Sequence, residues 1–368
     1  WRSMGKGVWK TIVGMLVSGF SGGPRRRRAT ILEQRPPAAG ALAPDRADGR
    51  RGMERSPLDL KVAHVGDVAG VGSALVAQAR ATGHRWMLYT LPAVRGPLVP
   101  AAARRAVDAV RWLRTRPGAD IVHVHYGPNG YYGWGTRTPY VLHMHGSDVR
   151  MDLHRPVARE LTLLGLKNAA AVLYSTQDLA EAVTALRPDA QWLPNPLSLE
   201  AMGGERPGPV PGRVVFSSRW DDTKGGEALV DAVAALVADG IEVHGVSWGV
   251  LAPRAETAGA RLHPLMARPA FLDLMASAEV VVGQHSFGVP GMTELQAMAL
   301  GRPVVMQAPG VPVIASTADT LPERVRWVLN HPDQAEQTAE RARAWCLAAH
   351  APSAVVERLD ALYARLAC

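Results

Sequence analysis

Short apolar runs alternate with amphipathic stretches along this chain, and the alternation restarts after a polar, proline-rich break at residues 203–211. Parallel strands need a crossover of a dozen or so residues between them, usually a helix, so this rhythm constrains the fold more than any other feature. Before the break, strands are expected at 61–66, 85–91, 120–125, 140–145 and 169–175, with a weak one at 190–193. Helices are expected at 73–82, with Ser73 as N-cap, and at 104–115. After it, strands are expected at 213–217, 242–247, 280–283 and 303–306, and helices at 227–239, 269–276 and 294–300. Residues 334–368 are alanine-rich and read as helical. The fold class is α/β, with two similar domains whose strand ends, and the loops leaving them, face a shared cleft. The expected division is a tail at 1–56, domains at 57–202 and 203–345, and a C-terminal helix at 346–368.

Charge separates the tail from the body. Residues 1–56 hold twelve Arg and Lys against four Asp and Glu, and the remainder holds twenty-nine of each. The net charge of +8 therefore belongs to the tail, and the body offers no basic field for nucleic acid. The tail, with its run Arg25–Arg28 and little periodicity, leaves three readings open: low-order chain, a start at Met53, or a basic patch at a membrane surface. No apolar run reaches the length of about 18 residues that spans a bilayer. The two cysteines, Cys346 and Cys368, cannot build a disulfide framework, which favours a reducing cytoplasm.

Several loops at expected strand ends carry chemistry. Gly66, Gly70 and Gly72 lie in the first crossover, but Leu75 replaces the third glycine of G-x-G-x-x-G and no acidic residue ends the next strand. A nicotinamide site is thereby disfavoured, leaving a tight turn or a loop that meets an anion or a sugar. In FSSRWDDTKGG, residues 216–226, Arg219 and Lys224 stand where a strand meets a helix and can hold a diphosphate. Asp221 and Asp222 lie between them; beside two cations they make a poor metal site, and they are expected to cap the helix or to orient the basic pair. Further along, Thr293 is expected to open a helix with Gln296 as its capping-box partner. His123, His125, His143 and His145 allow three readings: a metal site, packed strand histidines, or a sugar-contacting His145. The glycine-rich loop 126–135 offers Tyr131 and Trp134 either to a sugar ring or to its own domain.

Arg219-x4-Lys224 together with ELQAMALGRPVV at 294–305 resembles the donor-binding half of retaining GT-B glycosyltransferases of family 4. His145-Gly-Ser-Asp148 resembles their first-domain histidine motif, and Leu193-Pro-Asn195 the segment before their linker. The likeness runs from about Leu60 to the end. It implies two Rossmann-like domains, a nucleotide-diphosphate sugar as donor and no metal cofactor. Arg219 and Lys224 would hold the diphosphate, and His145 would approach the donor sugar. Gln296 stands where the second glutamate of E-x7-E usually binds a ribose, and Gly288 where the first contacts the sugar. Glu294 or His285 is then expected to substitute. Gly70, Gly72, Tyr131 and Trp134 fall on the acceptor or phosphate side. The acceptor is left as a glycan, a lipid-linked molecule or a small molecule, and the place as the cytoplasm or the inner face of its membrane. Two other readings share the scaffold: a non-catalytic sugar-nucleotide or glycan binder, and a nucleotide-sugar epimerase.

Overall fold

A computed structural model describes residues 56–92, 98–116, 118–134, 138–198 and 202–367. The tail expected at 1–56 lies almost wholly outside the described residues. The first domain is one parallel sheet of β1 (Lys61–Val65), β2 (Arg85–Tyr89), β3 (Ile121–His125), β4 (Tyr140–Met144), β5 (Ala171–Tyr174) and β6 (Gln191–Trp192), in the order β2-β1-β3-β4-β5-β6. The second is a parallel sheet of β7 (Arg213–Phe216), β8 (Glu242–Val246), β9 (Arg261–His263), β10 (Val280–Val282), β11 (Val304–Met306) and β12 (Ile314–Ala315), in the order β12-β11-β10-β7-β8-β9. The two α/β domains read from the strand–helix rhythm are therefore present. Strands β9 and β12 were not expected: each sits at a sheet edge and spans three residues or fewer, too short for a periodic signal. The helix Pro156–Asn168 was also unexpected, and its proline stands in the first turn, where a missing N–H costs nothing.

The central strands β3, β4 and β10 are buried along their whole length, as strands covered on both faces must be. One face of the first sheet packs Val65, Val124, Leu142 and Met144 with Trp112 and Tyr132. The other face packs Val62, Ile121, Val141 and Leu173 against Val355, Leu359, Leu362 and Tyr363. Those last four belong to the final helix, Pro352–Ala367. The helix before it, Pro332–His350, instead packs Ala342 and Cys346 against Leu295 and Met298 of the second domain. The C-terminal stretch is thus two helices rather than one, and they serve different domains. Pro352 makes the break: it brings no N–H, and Ala351 before it takes an extended ψ of 133°.

The chain crosses between domains twice, and the crossings touch. Leu197 N–H donates to the His350 carbonyl at 2.9 Å, and His350 Nδ1 donates to the Asn195 carbonyl at 2.8 Å. Among the described residues no helix is long and apolar enough to cross a membrane.

If the final helix completes the first domain, removing one of its core side chains must loosen that domain. Leu359 is fully buried, so Leu359→Ala is expected to cost about 2–5 kcal/mol in urea unfolding followed by tryptophan fluorescence.

Candidate active site

In the second sheet the strand order reverses between β7 and β10, and such a reversal opens a crevice at the carboxyl ends of the two strands. The loop carrying Arg219 and Lys224 leaves β7 there, and the loop 283–291 leaves β10 beside it. Arg219 pairs through Nε with Asp221 and donates from Nη2 to Thr223 Oγ1 at 3.1 Å. Asp221 in turn accepts from the Thr223 N–H at 3.0 Å and the Thr223 hydroxyl at 2.6 Å. Asp221 therefore orients the basic residue, and neither aspartate caps the following helix, which starts behind Gly226. The guanidinium lies 5.3 Å from the half-exposed indole of Trp248, while Lys224 Nζ turns the other way, 5.6 Å from the Phe287 ring. The two cations thus have aromatic neighbours from opposite sides of β7, Trp248 behind β8 and Phe287 behind β10.

The β10 loop is tied down by a buried carboxylate. Glu294 Oε1 accepts from Ser218 Oγ at 3.0 Å and from the Gln284 N–H at 3.1 Å, and Oε2 accepts from the Gly291 N–H at 2.8 Å. The helix Met292–Ala299 therefore begins behind Gly291 and not at Thr293, and its reach-back partner is Glu294 rather than Gln296. Through these three hydrogen bonds Glu294 holds the two loops together. His285 is also turned inward, with Nε2 2.6 Å from Ser316 Oγ and Nδ1 3.0 Å from the Gly283 carbonyl. Gln284 Oε1 accepts from the N–H groups of Ser286 and Phe287, shaping the bend that presents Phe287 and Gly288. Gly288 adopts φ +67°, which suits a residue without Cβ. Gln296 is buried in the same helix.

Across the crevice stands the end of β4. Asp148, fully buried, accepts from the backbone N–H groups of Gly127, His145, Gly146 and Val149 at 2.8–3.0 Å. Burial raises its pKa while these four donors oppose the rise. The motif His145-Gly-Ser-Asp148 is in this way a small backbone clamp that fixes where the His145 ring points. Gly146 has φ +111°, and a Cβ there would run into Arg150. Arg150 extends from this turn to the other domain: its Cζ lies 4.1 Å from the Phe287 centroid, and its guanidinium is anchored by Asp178. Phe287 consequently has Arg150 of the first domain and Lys224 of the second as its two cationic neighbours.

The first glycine turn faces the second domain as well, since a Cβ on Gly70 would lie 3.2 Å from Arg268 Nη1. Its helix starts behind Gly70, at φ +79°, and not at Ser73. Gly72 packs so closely on the Gly66 carbonyl that a Cβ would sit at 2.8 Å. The tight turn and the interdomain position are thus both present. The loop after β3 forms a short 3-10 helix, Gly127–Gly133, in which Tyr132 is buried and donates to Asp108 at 2.6 Å. Tyr131 and Trp134 lie partly buried against the same domain's core.

Sequence reasoning did not find Arg150, Phe287, Trp248 or His64. The first three are joined by ring–cation geometry across long separations, which leaves no trace in local spacing. His64 alternates with Val62 on β1, a signal that was there to be read.

His64, His123, His125 and His143 are fully buried in adjacent strands, and His145 lies at the rim, half-buried. Ring nitrogens of His64, His123 and His125 come within 4.8 Å of one another, as do those of His125, His143 and His145. The His64 and His123 rings are stacked at 13°, and His123 on His125 at 29°. Imidazole lone pairs lie in the ring plane, so stacked rings do not aim them at a common centre, and the first group fits a metal poorly. The nitrogens instead pair ring to ring, as His125 Nδ1 with His145 Nε2 at 2.9 Å. Burial lowers the pKa of all five, with neighbouring imidazoles adding to the effect on the other four; for His125 the value falls to about 4, against a small upward pull from Asp67.

Residues 54–196 match the family of glycosyl transferase 4-like domains. No curated protein matches the sequence. Among solved structures, sucrose-phosphate synthase from Thermosynechococcus elongatus is similar at TM-score 0.63 and 18% identity, over 83% of this chain and 99% of that one. Anabaena HepE in complex with UDP and glucose aligns at TM-score 0.63 and 15% identity, over 82% and 99%. The catalytic domain of starch synthase IV from Arabidopsis thaliana, bound to ADP and acarbose, aligns at TM-score 0.62 and 10% identity, over 84% and 99%. The structural likeness establishes the GT-B fold, and the family match over the first domain supports a glycosyltransferase.

Histidines held neutral in the fold but free to protonate in the unfolded chain make stability depend on pH in one direction. Unfolding free energy is expected to be insensitive to these groups above about pH 6.5 and to fall as the pH drops toward the folded value of about 4 for His125. The expected slope is about 1.4 kcal/mol per pH unit for each histidine that stays neutral, read from urea titrations at a series of pH values.

Proposed function

We propose that this chain is a retaining, metal-independent glycosyltransferase that moves a sugar from a nucleotide-diphosphate sugar to an acceptor hydroxyl. One observation carries the reading: Lys224 and Arg219 stand at the crevice where the second sheet reverses, and Arg150 beside His145 reaches the same Phe287 that Lys224 approaches. A diphosphate in that crevice meets the Lys224 ammonium directly. It meets Arg219 through the Nη1 edge of the guanidinium, because Nε and Nη2 are taken by Asp221 and Thr223. Gln296 offers an amide to the ribose, and the bend at Gly288 leaves room for the sugar.

The chemistry asked of the protein is then electrostatic. The bond between the anomeric carbon and the phosphate oxygen breaks, and negative charge grows on the leaving diphosphate. Lys224 and Arg219 stabilise that charge as it develops. The acceptor oxygen attacks from the face the phosphate is leaving, and its proton passes to the departing phosphate oxygen. His145, neutral through burial, borders the sugar as a hydrogen-bonding group rather than a charge. The two cations take the part that a divalent ion plays elsewhere, so no metal cofactor is required. Glu294 acts indirectly, by holding Ser218 and the β10 loop in register. The relatives solved with UDP or with ADP leave the base open. The acceptor, whether glycan, lipid-linked or small, is open too.

A thermal-shift panel of UDP-, GDP- and ADP-sugars is expected to single out one donor by its stabilisation of the fold. With that donor, Arg219→Ala and Lys224→Ala are each expected to lower kcat/KM about 10²- to 10³-fold. Turnover is expected to be unchanged by EDTA, and its loss would contradict a metal-free mechanism. Silence across the whole donor panel would contradict the donor site itself.

A further inference from the structure

The buried histidines form a connected path from the last helix to the cleft. Tyr363 Oη lies 2.6 Å from His123 Nδ1 and 3.4 Å from His64 Nε2. From His64 the path continues Nδ1 to His125 Nε2 at 3.1 Å, then His125 Nδ1 to His145 Nε2 at 2.9 Å. From His123 a second arm runs Nε2 to His143 Nδ1 at 3.2 Å and ends at His143 Nε2, which is buried without a partner. His145 Nδ1 has no partner among the described residues and is not sealed from solvent.

A neutral imidazole has one N–H and one bare nitrogen, so each contact along such a path fixes the next. The phenol has a single proton to give. Of the two contacts the 2.6 Å one is much the stronger and takes the phenol proton to His123, and the 3.4 Å one to His64 is a long, weak contact. His123 then carries its proton on Nε2 and donates to His143. The phenol oxygen is left to accept from His64 Nε2–H. His64 Nδ1 must accept from His125 Nε2–H, and His125 Nδ1 from His145 Nε2–H. We infer that Tyr363 is a positioning residue for the cleft: its one proton sets all five imidazoles as Nε2–H tautomers and presents His145 Nδ1 as a hydrogen-bond acceptor for a hydroxyl of the bound sugar.

Two further features hold the path in this state. Burial keeps the Tyr363 phenol protonated and the imidazoles uncharged. The final helix that brings Tyr363 is packed on the same sheet face as the histidines, so the phenol cannot turn away without opening the core. The role in sugar recognition rests on the glycosyltransferase reading; the tautomer assignment does not.

Histidine ring nitrogens report their protonation directly in 15N NMR, without substrate. In protein labelled with 15N-histidine, with the His145 signals assigned by their loss in His145→Gln, Nδ1 of His145 is expected as pyridine-type and Nε2 as pyrrole-type. A pyrrole-type Nδ1 on His145 would overturn the inference. In Tyr363→Phe the anchor is gone and both His145 nitrogens are expected to move toward averaged shifts, although the substitution lies three rings away. Unchanged His145 signals in a folded Tyr363→Phe protein would also overturn it. Should that variant not fold, the wild-type spectrum, with a scalar coupling expected across His125 Nδ1 and His145 Nε2, decides alone. A protein that transfers no sugar would still give either answer, so failure here and failure of the proposed function remain distinct.

Discussion

The return of the final helix onto the first sheet is the constraint on which the rest of the structure depends. Leu359, Leu362 and Tyr363 cover Val62, Ile121 and Val141, and this apolar contact joins the end of the chain to its first strand. Because the preceding helix belongs to the second domain, the contact also limits how far the two domains can part. The hydrogen bonds between Asn195, Leu197 and His350 place both crossings side by side. A pair of adjacent crossings resists translation of one domain past the other and leaves rotation as the softer motion.

Within that frame the cleft is built from charges already paired. Arg219 has Asp221 and Arg150 has Asp178, so neither guanidinium is left to find its own orientation. The pairing lowers the net attraction for an anion but spares the entropy of ordering a long side chain when the anion arrives. Lys224 differs: among the described residues its ammonium has an aromatic neighbour and no carboxylate in its ion-pair shell. An arriving diphosphate would accordingly gain most at Lys224. The carboxylate of Glu294 spends its three hydrogen bonds on the loops that carry the site.

Much of the architecture was legible in the sequence, and the misses have physical causes. The central strands stood out because a strand buried on both faces must be apolar along its length, as Val280–Val282 is. The edge strands β9 and β12 escaped because so short an element has no period to show. At helix starts the side-chain rule misled twice: Gly70 and Gly291 begin helices that Ser73 and Thr293 were expected to open. In both places a nearby carboxylate accepts from a backbone N–H of the helix start: Asp67 from the Ser73 N–H, and Glu294 from the Gly291 N–H. Arg219 and Lys224 were legible as a motif, but their aromatic neighbours Trp248 and Phe287 were not, being far away in sequence.

The histidines raise a last question, since apolar strands would pack the first sheet at lower cost. An imidazole buried without a partner loses its hydration and gains nothing, so a row of them is tolerated only if they satisfy one another. Here they do so with one buried nitrogen left unpaired among the described residues, His143 Nε2, at the end of one arm. Such a network is brittle: each ring depends on the tautomer of the next, and replacing one would leave a buried nitrogen bare on either side. A core of that kind adds nothing to stability that valine would not. It does give a surface-facing nitrogen a defined hydrogen-bonding sense from a proton buried beneath it, and that is a property an apolar core cannot supply.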